Sequence, residues 1–343
     1  MSIARTHLIL SLDYEIFGNG SGNLDFCVLR PTERIAAIAE RHGARLEVFV
    51  DALEFEAMER HAQPGIGEVR RQLQDLLARG HQLQLHLHPQ WHAQAAPSPQ
   101  GWHLDAARWR IGSLDSSVAQ ECIERGYQWL AALTAAVDSA QRPRVFRAGG
   151  WAIQPSAAVL PLLQALNITL ESSVAPGMVN RRTSDWYDFR RVPDAPSWPI
   201  ADDVCTSAPT GKMREVPIAV GRINRLHHLQ QLRRSRGRLA EGCCGSYDSG
   251  ASRWQKLGAA AERLLHTGQT MLDFSVLDGS ALIAVAQHWM QRWHGEALVP
   301  LVAIGHSKNF SHDSAAGLDQ FLSWAVAQPG CMPSTYVRFT SEC

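Results

Sequence analysis

Hydrophobic positions along this chain follow two alternating periods. In residues 81–88, Leu83, Leu85 and Leu87 alternate with Gln84, His86 and His88, the period of two that marks a strand. Short apolar runs at 7–13, 46–51 and 298–304 also read as strands, as do 144–147, 168–173, 214–218 and 271–274. Between them the period lengthens to that of a helix. Ile35, Ile38 and Ala39 share a face behind Pro31-Thr32 and are closed off by Gly43. Val69, Leu73, Leu76 and Leu77 do the same within 66–79, ended by Gly80. Further helices are predicted over 116–137, 157–166, 257–265, 280–291 and 318–327. Strands alternating with helices over this length predict an α/β fold with a mostly parallel sheet, a barrel or a doubly wound sheet. Residues 174–212 carry Pro176, Pro193, Pro196, Pro199 and Pro209 and read as a long loop, a kind of segment that is often functional.

Length and charge narrow the function classes. The 343 residues suit one large domain or two smaller ones. Lys+Arg and Asp+Glu are both 33, so nothing global attracts nucleic acid or an anionic membrane. No stretch is apolar enough to span a bilayer, and the run Leu8-Ile9-Leu10 is interrupted by Asp13 and Glu15, so no signal peptide is expected. Seven Cys without a CxxC pair predict free thiols and a cytoplasmic protein. Trp91, Trp102, Trp109, Trp151, Trp186 and Trp198 fall in predicted loops, where they suit either carbohydrate stacking or the anchoring of loops to the core. Arg222, Arg225, Arg233, Arg234, Arg236 and Arg238 read as a solvated helix face or a site for an acidic ligand.

The polar residues that carry chemistry fall at predicted strand ends. His86 and His88 project from one face of their strand, which Pro89 stops. Asp13 and Glu15 share a face at the end of the first strand. The strand at 144–147 runs into Arg147-Ala148-Gly149-Gly150-Trp151, and the late strand into Gly305-His306-Ser307-Lys308. Parallel α/β folds gather their chemistry at the carboxyl ends of strands. Two carboxylates and three imidazoles there amount to a mononuclear site for a divalent metal, zinc first, with a base and an acid to spare. Lys308 and Asn309 read equally as substrate contacts or as a solvated loop. His42, His81, His227, His228, His266, His288 and His294 read as structural or surface residues.

These motifs together, with Glu171-Ser172-Ser173-Val174 and Arg214-Glu215-Val216-Pro217, resemble the polysaccharide deacetylase (NodB-homology) family in order and spacing over about residues 6–327. The resemblance implies a distorted (β/α) barrel in a single catalytic domain over 1–343, with a loop-rich insertion at 174–256. It implies a metal-dependent hydrolase that removes an N- or O-acetyl group from an amino sugar or glycan precursor. Carried over by position, Asp13 is the base, His86 the first metal-binding His, Arg147 the brace of the base and Trp151 an aromatic near the substrate. His306 is the late-strand catalytic His, with Asp273 at a neighbouring strand end. The chain departs from the family twice: Tyr14 stands where a metal-binding Asp is usual, and Gln90 where the second His is usual. Glu15 and His88 lie on the right strand faces to replace them. Tyr14 and Trp91 join Trp151 as expected substrate contacts. Two other readings stand beside this one. One is a glycoside hydrolase using Asp13 with Asp273 or Glu215. The other is a carbohydrate-binding protein that has lost its metal.

Overall fold

The computed structural model describes residues 5–99, 101–181, 185–223, 239–245 and 269–343. β1 (Arg5–Tyr14) leads through a π-helical turn (Asp25–Leu29) into α1 (Arg30–Arg41), then β2 (Leu46–Asp51), α2 (Ala52–Arg60), α3 (Ile66–Ala78) and β3 (Gln82–Leu87). The antiparallel pair β4 (Ala96–Ser98) and β5 (Gly101–His103) precedes α4 (Ser116–Ala135), β6 (Val145–Ala148), α5 (Leu160–Ala165) and β7 (Leu170–Glu171). A second such pair, β8 (Val179–Asn180) and β9 (Tyr187–Asp188), is followed by β10 (Trp198–Ile200), β11 (Met213–Glu215), β12 (Val220–Arg222) and β13 (Gln269–Met271). Then come α6 (Gly279–Arg292), β14 (Leu298–His306), α7 (His312–Val326), β15 (Cys331–Pro333) and α8 (Tyr336–Ser341).

The main sheet runs β10-β11-β7-β6-β3-β2-β1-β14, with β15 on the flank of β1. Every neighbouring pair is parallel except β10 with β11. Parallel bridges from Ile218 to Val302 and from Asp273 to Ile304 carry the far side of the sheet back to β14. The sheet therefore curls into a distorted (β/α) barrel, the fold class expected from the sequence. The strands predicted at 214–218 and 271–274 are regular only through Glu215 and Met271, and complete the closure through those single bridges.

Strand alternation usually separates a core face from a wet face. Here both faces are buried. Leu83, Leu85 and Leu87 belong to the apolar core, where a fully buried Leu contributes about 1.5–3 kcal/mol. The polar set turns into the barrel, where its members satisfy one another in layers. Deepest, Gln84 Nε2 donates to Glu47 Oε2 at 2.7 Å, and Tyr336 N donates to Glu47 Oε1 at 2.8 Å. Helix α8 thus seals the amino-terminal end of the barrel. Burial there pushes the Glu47 carboxyl up to about 7, against the hydrogen bonds from Gln84 and Tyr336.

Some elements differ from the sequence expectation. Helix α2 was not anticipated, because Asp51 ends the apolar run of β2 and caps α2 at once, accepting from Glu54 N at 3.5 Å. Residues 174–212 hold three short strands rather than a structureless loop. Cys27 and Cys243 form a disulfide where free thiols were expected, which removes the thiol argument for a reducing compartment. The helix predicted at 257–265, the Arg cluster apart from Arg222, and His227, His228 and His266 lie outside the described residues. Among the described residues no helix is long and apolar enough to cross a membrane.

Candidate active site

Parallel register brings distant residues to one level at the carboxyl mouth of the barrel. Asp13 stands opposite His306 on one side and Phe49 on the other, Asp51 opposite His86, and His86 opposite Arg147. The spacing of two on β1 and β3 adds Glu15 and His88 one step further out.

Arg147 organises the inner half of this belt. It is fully buried, with its guanidinium 3.9 Å from the centroid of the Phe49 ring. Nη1 pairs with Asp13 Oδ1 at 2.5 Å, Nη2 donates to Ser11 Oγ at 3.0 Å and Nε donates to Ser172 O at 2.9 Å. Burial alone would raise the Asp13 carboxyl. Arg147, helped by His86 and His306, more than reverses this and holds it below the usual range. His306 Nε2 lies 3.5 Å from Asp13 Oδ2, and its Nδ1 faces Asp273 Oδ2 at 3.7 Å. Asp273 is steadied by Ser275, whose N and Oγ donate to it at 2.9 and 2.6 Å. Burial raises the Asp273 carboxyl. Trp151, half-buried, sets its ring edge-on to His306 at 5.9 Å.

The outer half is a three-residue cluster. Glu15 Oε2 lies 3.1 Å from His86 Nε2 and 3.1 Å from His88 Nδ1. One ligand atom from each of Glu15, His86 and His88 can be chosen so that all lie within 4.8 Å of one another. His86 Nδ1 donates to Arg147 O at 2.9 Å, which orients the ring and leaves Nε2 as the nitrogen that faces Glu15 and could hold an ion. Asp51 orients His88, accepting from its N at 3.2 Å and from Nδ1 at 2.9 Å. Against the opposing effect of burial, Glu15 and Asp51 push the His88 imidazole up to about 10. Burial would raise Glu15, but Lys308 and His88 hold it well below the carboxylate range. One carboxylate and two imidazoles this close fit a divalent ion of the zinc or iron kind, which His88 would bind with a nitrogen that has given up its proton.

The structure therefore brings together Asp13, Arg147 and His306 with Glu15, His86 and His88, and sets Trp151 at their edge. It does not bring Tyr14 or Trp91. Tyr14 points to the other side of β1, fully buried, and its hydroxyl donates to Gln72 Oε1 at 3.0 Å. Trp91 is fully buried against Trp102, with ring centroids 5.1 Å apart, and so anchors its loop to the core. Gln90 turns away to donate to Gly18 O. Glu215 is buried at the end of β11, where burial and Glu171 raise its carboxyl well above the usual range. Asp51, Lys308 and Trp109, which packs edge-on to His88 at 5.6 Å, belong to the site and were not assigned to it from the sequence. The available signal for Asp51 was its place at the carboxyl end of an apolar run, the same signal that marked Asp13.

No family model matches the chain, and no curated protein matches it. Solved structures do. A Mycobacterium smegmatis protein assigned as a polysaccharide deacetylase aligns with a TM-score of 0.55 at 12% identity, over 100% of this chain and 94% of that one. Puue allantoinase aligns with a TM-score of 0.53 at 13% identity, over 98% and 90%. A Pseudomonas aeruginosa PAO1 protein assigned as a polysaccharide deacetylase aligns with a TM-score of 0.50 at 13% identity, over 98% and 90%. At such identities the likeness shows the fold. The chain has the barrel of these proteins, as the resemblance in its motifs implied.

Proposed function

We propose that this chain is a divergent polysaccharide deacetylase, a metal-dependent hydrolase that removes an N- or O-acetyl group from an amino sugar or glycan precursor. One observation carries the reading: an ionised carboxylate braced by a buried arginine stands beside both a histidine and a two-histidine, one-carboxylate cluster, at the mouth of a barrel shared with proteins assigned as deacetylases. Glu15, His86 and His88 would hold the ion, for which zinc is our first choice. When bound, such an ion polarises a scissile carbonyl and acidifies a nearby water. Asp13 takes the proton of the attacking water as general base. Arg147 keeps Asp13 ionised and aimed. His306, backed by Asp273, gives a proton to the leaving amine or alcohol. A backbone N–H of the Gly149–Trp151 turn would stabilise the developing oxyanion, and the exposed part of the half-buried Trp151 offers a surface for a sugar ring.

Elemental analysis of the purified protein, alongside the His86→Ala/His88→Ala double variant, tests the metal. Near-stoichiometric zinc lost in the double variant is the expected result. No metal in the wild type, even after incubation with zinc, overturns the reading. Acetate release from acetylated amino sugars then tests the substrate class, with allantoin as the control that the second fold neighbour suggests.

A further inference from the structure

Lys308 sits on the short turn Ser307–Asn309 that follows β14, only 3% exposed. Its ammonium contacts Glu15 Oε1, donates to Ile16 O at 3.0 Å and lies 5.5 Å from the centroid of the Phe17 ring. A buried ammonium is costly unless paired, so this contact is part of how the chain folds here.

Glu15 needs such a partner. It lies one residue beyond the end of β1, so the sheet ladder does not hold its backbone. Its side chain has one more rotatable bond than an aspartate, and free it would offer a metal either oxygen or both. In this structure its two oxygens are divided. Oε2 faces both imidazoles at 3.1 Å, while Oε1 is held by Lys308. From the other side, Ile16 N donates to Glu54 Oε1 at 2.9 Å, so residues 15 and 16 are fixed from two directions.

We infer that Lys308 is a positioning residue that makes Glu15 a one-oxygen ligand, keeping Oε1 off the ion and a coordination position open. The inference rests on the metal reading above. Hydrolytic metal sites differ from structural ones in that open position.

The test is the visible absorption of the cobalt(II)-loaded protein, because cobalt band intensity falls as coordination number rises and so reports geometry rather than turnover. Wild type is expected to show the intense bands of a low-coordinate ion. Lys308→Met and Lys308→Gln are expected to lose intensity as Oε1 joins the ion, and Lys308→Arg, which keeps a cation on Oε1, to retain the wild-type spectrum. The inference is overturned if the Met and Gln variants, loaded stoichiometrically, superimpose on wild type. It is also overturned if they fold by circular dichroism yet take no cobalt, because Lys308 would then assemble the site rather than divide one ligand. A wild type that takes no cobalt overturns the metal reading and this inference together, and is distinguished by the absence of the ion from every variant.

Discussion

Arg147 meets a carboxylate, a hydroxyl and a carbonyl with three different nitrogens, with no exposure to water. Removing it takes from the buried Asp13 charge its main partner and leaves His306, at 3.5 Å, beside it. Arg147→Met is therefore expected to cost about 3–5 kcal/mol in urea unfolding, far more than a surface ion pair would. Asp13→Asn keeps the shape and loses the base. Acetate release should fall about 10²- to 10⁴-fold while bound metal stays at the wild-type level, and full activity in that variant would sink the proposed mechanism. At this scale the sequence was informative wherever a period of two placed side chains, as with Asp13 and Glu15 or His86 and His88. It failed where a residue's role depends on what another strand brings to it. Tyr14 has the right neighbours in sequence but the wrong parity on its strand. Lys308 could be assigned only once Glu15 was found beneath it.

The turn after β6 shows how an element constrains the site. A Cβ on Gly149 would stand 2.4 Å from His88 Cδ2 and 2.7 Å from Leu87 O, distances that atoms do not tolerate. Gly149→Ala should displace His88 and lower bound metal, measured by elemental analysis, with far-ultraviolet circular dichroism unchanged. Unchanged metal content would show that His88 is dispensable to the site. The regular strands and the longer helices were readable because burial on one face imposes a period. Helix α2 was not, since its cap Asp51 also ends a strand and serves His88, and three demands on one residue leave no separate start signal. The closing bridges at Ile218 and Asp273 involve single residue pairs, too short to carry any period.

For the molecule as a whole, the polar barrel interior couples folding to pH. Glu47 titrates at about 7 when folded, above the ordinary 4.5. Between those values the folded chain holds a proton on Glu47 that the unfolded chain has released, so the contribution of Glu47 to stability is full below about 4.5 and is lost as pH rises towards 7. The loss is on the order of 3 kcal/mol for a shift of this size. Glu47→Gln should flatten the Tm profile across that window, even though its own amide meets that of Gln84 and lowers the absolute Tm. A slope equal to that of wild type would show that another group is responsible. Reducing the disulfide, which joins residues 216 apart in sequence, should cost roughly 2–4 kcal/mol in denaturant unfolding, provided the reduced protein keeps its fold. That bond has a topological consequence as well. Cys27 and Cys243 close a covalent ring that contains β2 through β12, whereas β1 and β14, which complete the barrel wall, enter from outside the ring. A protease that cuts once anywhere within the ring leaves a molecule still in one piece, with Asp13 on the amino-terminal fragment still tied through the disulfide to His306 on the carboxyl-terminal one. Only a reductant would release the two fragments.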